Sequence, residues 1–275
     1  ELLDQLIAAR TPAKPLGPVI NGSGLPLDMR IFEQGAYGEL DEPLLFSRLQ
    51  QYADKSGKAA PSKFDAAWVK ETAQVYDLIR TSAGDTVSPT LAGWLLFAQR
   101  PTLKTPQAVV RFSAKGPEEW LLGAFGDDAE LTAADDGDHV IQREIAGTLW
   151  HQLDVLTETL ALLNRQFRLK DAVSRQVYPY SPLALKEMIV NALVHRDYGK
   201  TDAIQIVVTP ERIVTTSPGG LTDEVEAKTG GVSIEELIRG GRRELKGYRN
   251  PVISDLFYGG GQMDRAGSGL SDMWR

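Results

Sequence analysis

Ile141, Ile145, Leu149, Leu153, Leu156, Leu160, Leu163 and Phe167 recur at steps of three or four, and no other periodicity in the chain is as long. The spacing predicts an amphipathic helix over 139–167 whose apolar side must be covered by a second layer. The flanking segments change period. Upstream, residues 42–53 and 65–80 read as helices, the second with Trp68, Val69, Val75, Leu78 and Ile79 on one side. A helix over 90–98 is opened by Pro89, and Pro106 leads into a strand over 108–113. Downstream, Pro182 opens a helix from 183 to about 196, followed by a hairpin of 204–209 and 213–216 across a Pro210-Glu211 turn. Helices and strands mixed in this way predict an α/β (α+β) chain with helices layered on a sheet.

At 275 residues the chain has room for two modest domains. The expected division is a Pro/Gly-rich linker and the start of a connecting region over 1–60, a mixed helical and β connecting domain over 61–172, and a second domain over 173–275. The chain starts without Met and stops at Trp274-Arg275 inside what reads as a helix, so a piece of a longer protein is expected.

Composition removes several chemistries. With no Cys, the chain forms no disulfide, thiolate zinc site, iron-sulfur cluster or cysteine nucleophile. The three His, at 139, 151 and 195, make a dedicated transition-metal site improbable. An apolar run of eight residues, 91–98, is far short of the ~20 that span a bilayer, so no membrane partner is expected and a cytoplasmic location fits. The net charge of -7 argues against a duplex-coating surface. A local basic run, Arg239, Arg242, Arg243, Lys246 and Arg249, is either a phosphate-contacting or a solvated loop. The acidic stretch 118–138 holds no Lys or Arg, lacks calcium-loop spacing and reads as a solvated loop.

Two motif look-alikes fail. Gly199-Lys200-Thr201 resembles the end of a P-loop, but position 194 is Val where that loop needs Gly. His195-Arg196-Asp197-Tyr198 mimics a kinase catalytic loop, yet position 202 is Asp where Asn is required and no D-F-G follows. What holds is a combination. Glu187, Asn191 and His195 form a polar row along an otherwise apolar helix, the hairpin ends in Ser217-Pro218-Gly219-Gly220, and Arg265-Ala266-Gly267-Ser268-Gly269-Leu270 stands near the end of the sequence. Glycine so frequent after a hairpin suggests backbone closing on a ligand.

These residues resemble the GHKL ATPases. More closely, 187–198, 217–221, Arg249-Asn250-Pro251 with Leu256-Phe257, and 265–270 are similar to the divergent GHKL-type domain of bacterial "putative transcriptional regulator" proteins, once called RecG-like helicases. The stretch 88–98 resembles that family's connecting region. The resemblance covers roughly residues 40–275 and implies a C-terminal GHKL-like two-layer sandwich of helices on a mixed sheet. It implies ATP and Mg²⁺ as cofactors, with Glu187 as catalytic base and Asn191 as metal ligand. His195, Asp197, Ser217, Gly219, Gly220, Arg249, Asn250, Gly267, Ser268 and Gly269 would line the nucleotide. It also implies a Schlafen/AlbA-type nucleic-acid-binding domain ahead of this chain, a homo-oligomer, and a role in transcriptional control or phage defence. In one respect the chain departs from the pattern. No Asp stands at 215–218, where the wider family reads adenine, and Ser217 replaces an expected Asn. A nucleotide sensor without turnover, or a scaffold with a vestigial pocket, is the alternative implied.

Overall fold

A computed structural model of the chain describes residues 24–82, 84–166, 180–220, 236 and 247–261. Among these, three helices are capped at their starts by the short polar side chain that precedes them. In α1 (Glu42–Lys55) the Asp41 carboxylate accepts from Leu44 N at 2.9 Å, and in α2 (Ala66–Val75) Asp65 accepts from Ala67 N and Trp68 N. A two-stranded ribbon, β1 (Ile79–Thr81) with β2 (Val87–Pro89), leads into α3 (Leu91–Phe97), capped by Thr90 and buried on every side.

The central sheet is built around β3 (Val110–Gly116). It pairs antiparallel with β5 (His139–Ile145) and parallel with β6 (Ile204–Val208). At one edge is the short β4 (Thr132–Ala133), and at the other β7 (Ile213–Thr216) completes the expected hairpin with β6, giving the order β4-β5-β3-β6-β7. The remaining helices are α4 (Glu118–Phe125), α5 (Leu149–Gln166), α6 (Pro182–His195) and α7 (Pro251–Gly259). Side chains alternate along β3 and β6, so Val110, Phe112, Ala114, Ile204, Ile206 and Val208 point into one core. Leu149, Leu153, Leu156, Leu160 and Leu163 of α5 and Ile189, Leu193 and Val194 of α6 fill the same core. The class is α/β, with helices on a mixed sheet.

Four expectations are corrected. The helix expected over 139–167 is two elements, because residues four apart share a face in a strand as well as in a helix. Ile141 and Ile145 sit opposite Ala114 and Val110 in the sheet, and Thr148 accepts from His151 N where α5 begins. The helix expected over 65–80 ends at Val75. Asp77 then takes a positive φ of 54°, and Ile79 enters β1. Within the acidic stretch 118–138, the first eight residues form α4, whose Leu121 and Ala124 are buried. The sheet also runs continuously across residue 172, since β3 pairs with β6, so 61–172 and 173–275 share one sheet and core.

Two sites make this packing testable. An ideal Cβ on Gly93 would lie 1.9 Å from the carbonyl oxygen of Leu78, a backbone atom that cannot swing away. Gly93→Ala is therefore expected to destabilise the fold by about 3 kcal/mol in denaturant unfolding, and a loss below about 1 kcal/mol would contradict this packing.

The second is Asp28, fully buried, whose Oδ2 accepts from Val252 N at 2.8 Å and Ile253 N at 3.2 Å. Burial pushes this carboxyl up to about 6, against the backbone bonds that pull it down. A carboxyl raised on folding contributes stability that is complete below its unfolded value of 3.8 and is lost as pH rises through about 6. Two pH units correspond to about 3 kcal/mol. His195 is pushed below its ordinary value and so contributes the opposite slope near its unfolded value. The difference between wild type and Asp28→Asn isolates Asp28: the fall in relative stability between pH 4 and 6 should vanish in the variant.

Candidate functional site

The site forms where α6 ends. Pro182 occupies the first turn of α6, and Leu185, Ile189, Val190, Ala192, Leu193 and Val194 are buried, while Glu187, Asn191 and His195 are half-buried along its open side. The polar row read from the sequence therefore lies at the margin of the core. Each step of four along it is about 6 Å.

The last carbonyls of a helix lack partners within it. Here Asn250 supplies them, its Nδ2 donating to Val194 O and Arg196 O at 2.8 Å each. Arg196 then turns inward. It is 1% exposed, its Nη2 donates to Gln107 O and Asp202 O, and its guanidinium lies 4.9 Å from the Tyr198 ring centre. Tyr198 donates its hydroxyl to Leu193 O at 2.7 Å, and burial pushes its phenol well above the ordinary value. With Arg196 and Tyr198 turned inward, Asp197 between them is left half-exposed beside the glycine pair that follows β7.

Asp197 is the hub of that meeting. Its N–H donates to Pro218 O at 2.7 Å, and its Oδ1 accepts from Gly199 N. Its Oδ2 lies 3.3 Å from Arg249 Nη1. Arg249 Nη2 also donates to Gly220 O at 2.8 Å, and Ser217 Oγ donates to Ala192 O at 2.9 Å. Segment 217–220 is thus tied to α6 from one side and to Arg249 from the other. Gly219 has φ +114°, and an ideal Cβ there would meet Asp197 Cβ at 3.0 Å and the Arg249 guanidinium at 3.4 Å. Gly219→Ala combines a strained φ with this close approach. The expected cost is about 2 kcal/mol in denaturant unfolding, and unchanged stability would show that the loop is not held this way.

His195 faces Tyr248, the rings nearly parallel at 18° with centroids 6.4 Å apart. Burial pushes the imidazole below its ordinary value, and the neighbouring Arg249 guanidinium adds to this. The Arg249 cation, bare glycine backbone and a half-exposed aromatic face therefore adjoin one another. Such a surface is suited to an anionic ligand carrying a planar group.

Of the expected site residues, the structure brings together His195, Asp197, Ser217, Gly219, Gly220, Arg249 and Asn250. Glu187 and Asn191 stand on the same helix, two turns and one turn before His195. Gly267, Ser268 and Gly269, and the basic residues from Arg239 to Lys246, lie outside the described residues. Asn250, expected to touch a ligand, is corrected: it is 1% exposed, and its amide is committed to the end of α6. The sequence reading missed Tyr248 and the inward roles of Arg196 and Tyr198. Tyr248 stood in plain view inside the basic run. Among the described residues, no three His, Asp or Glu side chains converge as a metal site, and no helix is long and apolar enough to cross a membrane.

No family model matches the chain, and no curated protein does. Among solved structures it is similar to the DIP2311 protein from Corynebacterium diphtheriae, at 16% sequence identity and a TM-score of 0.53. The match covers 91% of this chain and 35% of that one, so the chain spans little more than a third of that protein. At this identity the likeness is one of fold.

Proposed function

We propose that the chain binds a magnesium nucleoside triphosphate, ATP in the first instance, along the open side of α6 and against segment 217–220. The observation that carries this reading is Gly219, held at a positive φ between Asp197 and the Arg249 guanidinium with its neighbour's carbonyl already in contact with that cation. Bare backbone beside an arginine lets phosphate or ribose oxygens approach closely.

In this reading Arg249 neutralises phosphate charge, and Asn191 offers a hard oxygen to Mg²⁺, which keeps its other positions for phosphates and water. The bound Mg²⁺ would polarise the terminal phosphate. Glu187 stands one helical turn from Asn191 and would take a proton from an attacking water. His195 and Tyr248 would offer a face to the base. The family resemblance is the ground for placing this module in a homo-oligomeric, cytoplasmic nucleic-acid-binding protein of transcriptional control or phage defence.

The test is a melting curve. A ligand at about 100 times its dissociation constant adds about 2.7 kcal/mol to stability, so millimolar Mg-ATP should raise the melting temperature measurably. An unshifted curve would overturn the reading.

A further inference from the structure

Two side chains compete to cap α7. Asn250 occupies its N-cap position, from which an Asn oxygen ordinarily accepts from the second and third helical amides. Those amides belong to Val252 and Ile253. Both are taken by Asp28, which reaches them from more than two hundred residues earlier, and Asn250 makes no cap bond. Its Oδ1, the atom that would have capped the helix, is buried without a partner among the described residues, while its Nδ2 bridges Val194 O and Arg196 O.

The division of labour follows from donor and acceptor chemistry. The start of α7 needs acceptors and the end of α6 needs donors. A carboxylate can only accept, whereas an Asn amide can do either. A carboxylate at a helix N-terminus is also the better cap, through charge-assisted bonds and the helix dipole. With Asp28 on the amides, Asn250 is released to hold the carbonyls.

The geometry points to Asp28 as a positioning residue for the site. By occupying the cap of α7 it frees Asn250 to clamp the end of α6, and so fixes Asp197, which follows the clamped Arg196 carbonyl, and Arg249, which precedes Asn250, in register with segment 217–220. Leu27, beside Asp28, packs close to Gly199 in the same turn, its Cδ2 3.5 Å from an ideal Cβ there. The segment around residue 28 thus reaches α7 and the 197–199 turn together.

Hydrogen exchange on the whole chain tests this without any nucleotide. In Asp28→Ala, Asn250 should swing onto α7. The Val252 and Ile253 amides then keep their protection within a few fold, while the Asp197 amide, bonded to Pro218 O, exchanges at least about tenfold faster. Asp28→Asn retains an acceptor and should restore wild-type exchange at Asp197. Should Asp28→Ala not fold, Asn250→Ala carries the test: loss of protection at Asp197 with α7 unchanged is expected. Deprotection of Val252 and Ile253 in either alanine variant, with Asp197 unchanged, would reduce each side chain to a local role and overturn the inference. The consequence for ligand rests on the nucleotide reading: Mg-ATP affinity should fall about tenfold in Asp28→Ala and recover in Asp28→Asn. Failure of the wild type to bind Mg-ATP would remove that reading and leave the exchange result to decide the role of Asp28.

Discussion

Replacing Glu187 with Gln is expected to leave Mg-ATP affinity within a few fold of wild type while cutting phosphate release by about 100 to 10,000 fold. The amide keeps the shape and polarity of the side chain but cannot take a proton at neutral pH. A general base acts on the water only as the transition state forms, so its loss falls on turnover and spares binding. The expected change corresponds to roughly 3 to 5.5 kcal/mol of barrier. Single-turnover assays on wild type and variant make the comparison. Equal phosphate release from both would place the activity elsewhere, and binding without release from either would identify a sensor.

Asn191→Ala should behave differently, although it lies only one turn away. Its amide oxygen is assigned to the metal that accompanies the phosphates, so its removal weakens ground-state binding and turnover together. Most of the Mg-ATP stabilisation, about 2.7 kcal/mol at a hundredfold excess over the dissociation constant, should disappear. Melting curves of the variant with and without Mg-ATP measure this. A shift equal to that of wild type would exclude Asn191 as a ligand. The half-buried position of Asn191 on the open side of α6 lets this substitution be read as a binding effect, because truncating a side chain at the core margin costs little stability.

Much of this architecture was legible in the residues. Pro182 and the apolar spacing after it placed α6 to within a residue, and the Pro210-Glu211 turn placed the β6-β7 hairpin. What misled was a period. Ile141 and Ile145 fit a helix and a strand equally well, and only their partners Ala114 and Val110, some thirty residues away in sequence, decide between the two. Helix α4 is hidden in the sequence because Glu118 and Glu119 merge with the acidic stretch that follows, although acidic residues in a first turn also favour a helix start.

The site shows the same contrast. Glu187 and Asn191 stand out by their spacing on a helix and Gly219 by its place after a hairpin, whereas Asp197 and Arg249 enter the site through the family resemblance alone. The exchange of roles between Asp28 and Asn250 could not be read in advance, because it joins residues at opposite ends of the chain and depends on which amides a buried carboxylate reaches. Arg196 is a similar case. An arginine beside Asp197 suggests a ligand contact, yet its guanidinium is folded beneath the site against Gln107 O and Asp202 O.

Calorimetric titration of the chain with ATP and with a non-hydrolysable analogue, each with and without Mg²⁺, decides whether the chain binds a magnesium nucleotide. Saturable binding at one site per chain is expected for both ligands, strengthened by Mg²⁺ and lost in Asn191→Ala. Absence of saturable heat with either ligand at millimolar concentration, from a folded wild-type chain in the presence of Mg²⁺, would contradict it.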